Sequence, residues 1–304
     1  MALFRILNGL VLCTYFDPDE YWQALEIAHY QVFGYGYVSW EWQYQLRSFA
    51  HPLVFSILYK LLDILSLDLP WLIAHGPLLL QSLLAAIGDY HLYRLADQWF
   101  GNQTAKWSLF CQLSNWFVFY CLPRTYSNSL ETVLTLIALS YWPWKSLREN
   151  RVTSLALAAL CFLIRPTSAI LWSLLGIWTL YQSNGKERLN LLLFQVLPIG
   201  LCCLVISVGI DYLFYGEVTL VFWNFVKFNV ILGVSAEYGV HPWHWYFTNG
   251  LPTVMGSYLP LFLGGVYASH QYQYASLAIA TIAILSFLAH KELRFMLSVL
   301  PIFL

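Results

Sequence analysis

Long apolar runs separated by short polar segments fill the chain from end to end. A helix that crosses a bilayer needs about 20 mostly apolar residues. Allowing for shorter, incomplete helices, the pattern predicts ten crossings, at 3–16, 70–92, 107–122, 129–144, 152–164, 168–181, 190–213, 258–268, 275–289 and 293–304. We therefore predict an all-α polytopic membrane protein in which residues 1–304 form a single membrane-embedded domain.

Two stretches with interrupted apolar patterns predict helices on the membrane surface. Residues 51–67 contain Lys60 and Asp63, and a charge at the centre of a bilayer is expensive. An interfacial amphipathic helix is therefore favoured there over a crossing, which remains the alternative. Residues 21–33 have the pattern of a helix lying on the membrane. Both helices fall in the first of two long predicted loops, 16–69 and 214–257.

The distribution of basic residues assigns the loops to sides of the membrane. Basic loops tend to stay cytosolic, so an even number of crossings separates them, and we split the run 152–181 at Arg165-Pro166 for this reason. The predicted cytosolic residues are Arg94, Lys106, Lys145, Arg148, Arg151, Lys186 and Arg188. The opposite face then collects the unusual polar segments, at 16–23, 39–48, 123–128, 165–168, 214–257 and 290–292. This convergence predicts one site on the non-cytosolic face.

The composition agrees with a membrane protein and excludes other classes. Hydrophobic residues make up 59% of the chain and charged residues only 10%, which excludes disordered, fibrous and disulfide-stapled secreted proteins. The net charge of −1 gives no excess of positive charge for binding nucleic acid, so we expect membrane lipids and no nucleic acid as partners. The six cysteines lie in or beside apolar runs without metal-ligand spacing.

Three acidic residues cluster where the first helix is predicted to end: Asp17, Asp19 and Glu20. Neighbouring acids raise one another's pKa, and a carboxylate held close to a sugar hydroxyl suits a general base. A hydrated loop that marks the exit of the helix is the alternative. Asp17-Pro18-Asp19 also matches a D-x-D pattern for a divalent ion, although two carboxylates alone are weak support for a metal.

A second segment interleaves aromatic and charged residues that suit a sugar. It contains Trp40, Glu41, Trp42, Tyr44 and Arg47. The apolar face of a sugar ring stacks on indole while its hydroxyl groups bond to carboxylate. The alternative is an aromatic belt that anchors a loop beside the membrane.

Cationic residues on the same predicted face suit an anionic phosphate. His241 and His244 lie three positions apart, and only Glu237 is near enough to serve as a third zinc ligand, so we favour phosphate over metal. Single interfacial arginines usually extend to lipid headgroups. Four cations at helix ends, together with two histidines, instead indicate phosphate binding: Arg124, Arg165, Lys291 and Arg294. Glu131, an acid inside a predicted crossing, is a further functional candidate.

Two function classes fit these residues: a membrane glycosyltransferase with a lipid-phosphate sugar donor, and a transporter with a polar vestibule. A transporter is expected to place ionisable residues near the membrane midplane, on discontinuous helices. Here the polar residues lie at helix ends and in long loops on one side. The pattern therefore favours the enzyme.

Six motifs in order resemble glycosyltransferase family 22: FDPDEYWQALEIAH, YGYVSWEWQYQLRS, RTYSNSLET, RPTS, HPWHWYF and HKELRF. Within that family the motifs and the HPWHWYF loop are most similar to enzymes that build glycosylphosphatidylinositol (GPI) anchors, rather than to those of N-glycan assembly. The resemblance covers essentially the whole chain. Family members are usually longer, and because the chain stops in an apolar run at Leu304 we expect a fragment or a short form.

The resemblance implies a GT-C fold in the endoplasmic reticulum membrane, with the active site in the lumen. The implied donor is dolichyl phosphate mannose, and the implied acceptor is a GPI precursor that already carries two mannoses. The third mannose would be added in α-1,2 linkage by one inverting displacement, with no metal or other cofactor.

The same resemblance assigns roles to residues of this chain. An acidic residue in the first luminal loop of family members acts as the base, and the matching positions here are Asp19 and Glu20. Of these we expect Asp19 to be the base, with Glu20 orienting the base or the acceptor. The predicted sugar contacts are Trp40, Glu41 and Trp42, with Asp17, Arg47 and Arg124 also in the substrate site. The predicted ligands of the donor phosphate are Arg165, His241, His244, Lys291 and Arg294.

Overall fold

The computed structural model describes residues 1–144 and 150–304, and these residues form helices and turns without a β-strand. Of the predicted cytosolic cluster, Lys145 and Arg148 lie outside the described residues. We number the helices α1 Ala2–Val11, α2 Glu26–Phe33, α3 Trp40–Gln43, α4 Ala50–Ile64, α5 Pro70–Phe100, α6 Asn102–Ser114, α7 Trp116–Cys121, α8 Ser127–Tyr141, α9 Arg151–Ile164, α10 Ala169–Gln182, α11 Gly185–Tyr215, α12 Val221–Ile231, α13 Tyr246–Met255, α14 Tyr258–Ser269, α15 Tyr272–Leu285 and α16 Leu300–Phe303.

Two of the described helices, α5 and α11, are each long and apolar enough to cross a membrane, at 31 residues. A third candidate is the pair α13 and α14, which is bent by 102°. The shorter apolar helices α1, α9, α12 and α15 have 10–17 residues each. The structure is therefore an all-helical membrane-type fold, and the total of ten crossings stays a prediction.

Two predicted crossings do not form single helices. The run 107–122 divides at Asn115, whose side-chain oxygen accepts hydrogen bonds from the backbone N–H groups of Phe117 (3.0 Å) and Val118 (2.9 Å). These bonds start a new helix, because a capping side chain satisfies backbone donors that an uninterrupted helix would pair internally. The run 293–304 forms a 3₁₀ turn and then the short α16, with Pro301 in its first turn.

Proline and glycine end helices where the sequence predicts breaks. Helix α9 ends at Ile164, Arg165 is extended, and Pro166 opens a 3₁₀ turn before α10, which confirms the predicted split. The helical segment predicted at 21–33 is a π-helical turn that continues into α2, and Gly34 ends it with φ +78°. Only glycine adopts that left-handed conformation without cost.

A buried ion pair ties the first helix to the long helix α5. The Nε atom of Arg5 lies 2.7 Å from a carboxylate oxygen of Asp89, and both side chains are fully buried. Asn8, one turn further on, donates to the carbonyl of Phe119 at 3.0 Å. Since breaking a buried pair leaves an uncompensated charge, these contacts set the position of α1 and of the acidic loop that follows it.

Candidate functional site

The polar segments predicted to share one face contact each other in the structure. Residues 16–23 contact 290–294 through ion pairs from Arg294, and they contact 123–128 through an ion pair from Arg124. The segment 39–48 contacts the 214–257 segment through Trp40. The site is thus assembled from segments that are distant in sequence.

Arg294 is the centre of an acidic cluster. Its Nη1 atom lies 3.3 Å from Asp17, its Nη2 atom bonds to Asp19, and its Nε atom bonds to Glu292. The residue is 6% exposed, and its guanidinium also lies over the ring of Tyr126, 5.4 Å from the centroid. One arginine therefore holds three carboxylates at fixed positions, and two of them, Asp17 and the base candidate Asp19, are predicted site residues. The predicted role of Arg294 as a ligand of the donor phosphate stays a prediction.

The acidic cluster extends to His290. Its Nε2 atom lies 2.7 Å from Glu292, and its Nδ1 atom lies 3.1 Å from the carbonyl oxygen of Gly239. The bond to Glu292 raises the pKa of His290. Burial acts to raise the pKa of Glu292, but His290 and Arg294 outweigh it and lower that pKa to about 2. Burial raises the pKa of Asp17 despite Arg294, so this carboxyl holds a proton more readily than an exposed one.

Glu20 and Arg124 form a separate buried ion pair. The Oε2 atom of Glu20 lies 2.7 Å from Nη1 of Arg124, and the side chains are 3% and 2% exposed. Arg124 also donates to the carbonyl of Thr14 at 2.7 Å and lies over the ring of Tyr120. The catalytic role of Glu20 and the substrate role of Arg124 stay predictions, and in the structure their ion pair joins the acidic loop to the segment 123–128.

The aromatic segment is divided between the core and the site. Trp42 is buried, its indole N–H donates to the carbonyl of Trp22 at 3.1 Å, and its ring packs on Phe49. Trp40 instead stacks on Tyr238, with ring centroids 6.2 Å apart. Of the two tryptophans predicted to contact sugar, only Trp40 therefore presents its ring beside a loop of the site.

Glu41 and Arg47 pair with each other. Arg47 donates to Glu41 at 2.8 Å, and the second carboxylate oxygen of Glu41 accepts from Gln23 at 3.2 Å. Asp211, inside the long α11, accepts from the backbone N–H of Phe49 at 2.9 Å and so fixes the end of this loop. Asp211 was not predicted, although an acid inside an apolar run is a signal for function or positioning.

Arg165 is held by three polar groups of α8. Its Nε atom lies 3.0 Å from Glu131, and its Nη1 atom donates to Ser127 at 3.1 Å and to Asn128 at 3.0 Å. Phe295 covers the guanidinium at 5.3 Å. These contacts fix the orientation of the Arg165 guanidinium group.

The two histidines of HPWHWYF lie apart in their contacts. The His241 ring stacks on Trp245, with centroids 4.5 Å apart, while His244 is exposed and bonds to Thr248. Lys291 donates to the backbone carbonyl of His241 at 2.9 Å rather than to its ring. Within residues 1–144 and 150–304, no group of three His, Cys, Asp and Glu side chains is arranged to hold a metal ion.

A cavity of about 960 Å³ opens beside the site between α9, α10, α11 and α12. Its walls are mostly apolar, with side chains such as Leu155, Phe162 and Leu204. Arg47, Arg151 and Arg165 line the same cavity. The arrangement is an apolar groove with three arginines among its lining residues, which suits a long apolar chain that carries an anionic group.

Glu292 and His290 belong to the site but were not predicted as site residues, although the segment 290–292 was predicted to lie on the same face. Both are charged or titratable residues next to the predicted cation Lys291, so HKELRF contained the signal. His51 was also missed: it is buried, and Arg165 and Arg47 both act on it electrostatically. Nothing local in the sequence distinguishes His51 from a histidine in a helical core.

Comparison with known proteins gives a consistent result. The chain matches the Alg9-like mannosyltransferase family over residues 1–304. It is 45% identical to mannosyltransferase APTG1 of Arabidopsis thaliana over 98% of this chain and 55% of that protein. It is 45% identical to GPI alpha-1,2-mannosyltransferase 3 of Homo sapiens over 98% of this chain and 54% of that protein. A GPI mannosyltransferase 3 of Drosophila melanogaster is 40% identical over 98% of this chain and 53% of that protein.

The chain spans a little over half the length of these relatives, between 53% and 55% of each. No solved structure matches it. The match over all 304 residues confirms the resemblance that the six motifs indicated. By its sequence, the chain belongs to the Alg9-like mannosyltransferase family, glycosyltransferase family 22.

Proposed function

We propose that the protein is a mannosyltransferase of GPI-anchor biosynthesis. The donor is dolichyl phosphate mannose, and the acceptor is a GPI precursor that carries two mannoses. The enzyme adds the third mannose in α-1,2 linkage, in the membrane of the endoplasmic reticulum and on its luminal face. Two relatives that match nearly all of this chain carry the names GPI alpha-1,2-mannosyltransferase 3 and GPI mannosyltransferase 3, which supports the choice of substrates.

The apolar groove beside Arg47 and Arg165 carries this proposal. A polyprenyl phosphate sugar has a long apolar chain and an anionic phosphate, and an apolar groove of about 960 Å³ with arginines among its lining residues complements both parts. Guanidinium binds phosphate oxygens with two parallel hydrogen bonds. Because Glu131, Ser127 and Asn128 hold Arg165, its direction is set before the donor arrives.

In the proposed reaction Asp19 is the base. Its carboxylate takes the proton of the acceptor hydroxyl, whose oxygen forms a bond to the anomeric carbon of the donor mannose. The bond from that carbon to the phosphate oxygen breaks, and the dolichyl phosphate leaves with its electron pair. One in-line displacement inverts the β-linked donor to an α-linked product, and Arg165 with Arg47 stabilises the leaving phosphate in a site partly shielded from water.

Glu20 and Arg124 act as positioning residues in this proposal. Their buried pair connects the loop that carries Asp19 to the segment 123–128. Asp17 is the second candidate for the base, because it shares Arg294 with Asp19 and its pKa is raised by burial. A proton acceptor works best when its pKa approaches the working pH.

The test is mannose transfer by the purified protein in detergent, with dolichyl phosphate mannose and a two-mannose GPI precursor. We expect one mannose to be added and then to be removed by an α-1,2-specific mannosidase. The same assay with an N-glycan lipid-linked precursor is the comparison. Transfer to that precursor and not to the GPI precursor would contradict the proposed acceptor.

The groove itself is tested by two matched glycine substitutions. An added side chain would meet open space at Gly176, which lines the groove on α10, and at Gly264, which lies on α14 outside it. We expect Gly176→Trp to fill the groove and to raise the KM for the donor at least about tenfold, which corresponds to about 1.4 kcal/mol. Gly264→Trp adds the same bulk elsewhere and is expected to leave the donor KM unchanged.

A further inference from the structure

Two aromatic side chains from distant segments form a stacked pair beside the acidic cluster. The rings of Trp40 and Tyr238 are nearly parallel, with an interplanar angle of 10° and centroids 6.2 Å apart. Phe228, on α12, supports the indole at 5.6 Å. The pair therefore joins the segment that follows α2 to the segment that follows α12.

Tyr238 also reaches the chain of charges that ends at Asp19. Its ring lies edge-on to His290, with centroids 6.1 Å apart, and the next residue, Gly239, offers its carbonyl to the same histidine at 3.1 Å. From His290 the contacts run through Glu292 and Arg294 to Asp19. The aromatic pair is thus connected by direct contacts to the proposed base.

The charges around Tyr238 agree with its position near the reacting groups. Partial burial is the largest cause that raises the pKa of its hydroxyl, and the carboxylates of Glu41, Glu237 and Asp19 contribute to the same shift. Arg47 acts in the opposite direction. The side chain is nevertheless 57% exposed, so its outer surface is open to a ligand.

An exposed aromatic ring with carboxylates beside it matches the chemistry of a hexose. The face of an aromatic ring carries partial negative charge and attracts the C–H groups on one face of a sugar. The hydroxyl groups at the edge of the same sugar donate to carboxylate oxygens. Glu41 directly follows Trp40 in the chain, and Asp19 is reached from His290 through Glu292 and Arg294. An aromatic ring that only anchored the chain in lipid would gain nothing from these carboxylates.

The position of Tyr238 separates this pair from the donor groove. The groove is lined by Arg47 and Arg165 but not by Tyr238 or Trp40. The donor mannose is attached directly to the phosphate and so lies at the guanidinium groups. A sugar on Tyr238 would therefore lie outside the groove, against the exposed part of the ring.

We infer that Tyr238, supported by Trp40, binds the terminal mannose of the acceptor and sets the affinity for that glycan. The inference deepens the proposed function and rests on it for the identity of the acceptor. It assigns Tyr238 a substrate contact that the buried Trp42 cannot make.

The experiment compares steady-state kinetics of Tyr238→Ala with those of the wild-type protein. We expect the KM for the two-mannose acceptor to rise about tenfold, the effect of losing about 1.4 kcal/mol, while the KM for dolichyl phosphate mannose stays within about twofold. Tyr238→Phe keeps the ring and is expected to recover most of the lost affinity. An unchanged acceptor KM, or a rise in the donor KM alone, would overturn the inference.

A matched control variant and a binding measurement distinguish failure of this inference from failure of the proposed function. Tyr181→Ala removes another exposed tyrosine, 80% exposed, at the end of α10, and is expected to leave both KM values unchanged. Binding of free mannobiose, measured by saturation-transfer NMR on wild type and Tyr238→Ala, needs no turnover. Binding that Tyr238→Ala abolishes, without mannose transfer by wild type, would sustain the inference and refute the proposed function. Normal mannose transfer by wild type, together with equal mannobiose binding by wild type and Tyr238→Ala, would refute the inference and sustain the proposed function.

Discussion

At the scale of single residues, the carboxylates of the acidic loop differ by their partners. Glu20 lies in a buried ion pair with Arg124, whereas Asp19 and Asp17 share Arg294 and are themselves partly accessible. The three acids are close in sequence and looked equivalent as candidates. Their partners divide them into one acid that is buried in an ion pair and two that stay partly accessible.

The first prediction concerns the base. Asp19→Asn keeps the shape of the side chain but cannot accept the proton, so transfer should fall by at least about 10²-fold, the low end for general-base catalysis. Protein abundance should stay near wild type. Asp68→Asn, an exposed site between α4 and α5, is the matched control. Activity of Asp19→Asn within a few-fold of wild type would move the role to Asp17.

The second prediction concerns the pH dependence of local stability at His290. The pKa of His290 is raised above the ordinary value of 6.5. Its contribution to the free energy of unfolding is therefore complete below pH 6.5 and is lost as the pH rises through the folded pKa. The pKa of Glu292 is lowered from 4.5 to about 2, so its contribution is present above pH 4.5 and is lost as the pH falls toward 2. Stability of the contact between Gly239 and His290 should therefore be greatest between pH 4.5 and 6.5.

Hydrogen exchange of the segments around Gly239 and His290 measures this effect. Protection should decrease as the pH rises from 6.5, after correction for the intrinsic exchange rate. His290→Gln removes the titrating group and should remove the decrease. A decrease of equal size in the variant would assign it to another group.

At the scale of helices, local chemistry explains the boundaries better than apolar length does. Gly34 and Pro166 end helical segments where the sequence predicted it, because their backbone preferences act within a few residues. Asn115 divides the apolar run 107–122, which its composition alone predicts to be one continuous helix. The charged pair Lys60 and Asp63 in α4 is exposed, with 2.7 Å between the charged atoms.

The third prediction tests whether α4 lies on the membrane surface. Asn102-Gln103-Thr104 is the only N-glycosylation sequon of the chain, and Asn102 opens α6, directly after α5. If α4 does not cross, the sequon faces the cytosol, where no glycan is attached, so endoglycosidase should cause no shift in mobility. A shift that Asn102→Gln abolishes would mean that α4 crosses, and the shared face would have to be redrawn.

At the scale of the whole molecule, the described cations of the site are already compensated to a large extent. Carboxylates pair with Arg47, Arg124, Arg165 and Arg294. Lys291 donates instead to two backbone carbonyls. A donor phosphate therefore competes with carboxylates for the guanidinium groups. Because little uncompensated positive charge is left, the site suits a monophosphate ester better than a more highly charged diphosphate.

The fourth prediction is that transfer requires no divalent metal. A dolichyl phosphate leaving group carries a charge that positioned guanidinium groups can stabilise in a site partly shielded from water. Mannose transfer in detergent with purified lipid donor should survive exhaustive EDTA treatment. If activity vanishes and returns with Mn²⁺ or Mg²⁺, Asp17 and Asp19 become the candidate ligands, and the assignment of the base is wrong.

The sequence by itself determined the class of the protein, the helix ends at Gly34 and before Pro166, and the polar segments that meet in the site. These properties depend on composition and on residues within a few positions of each other. Only the tertiary structure decided which charges pair, since Asp19 and Arg294 are 275 positions apart. It also decided that Trp42 packs in the core whereas Trp40 stacks on Tyr238. Ion pairs and ring contacts depend on distances in space, and no local pattern encodes how helices from opposite ends of the chain pack together.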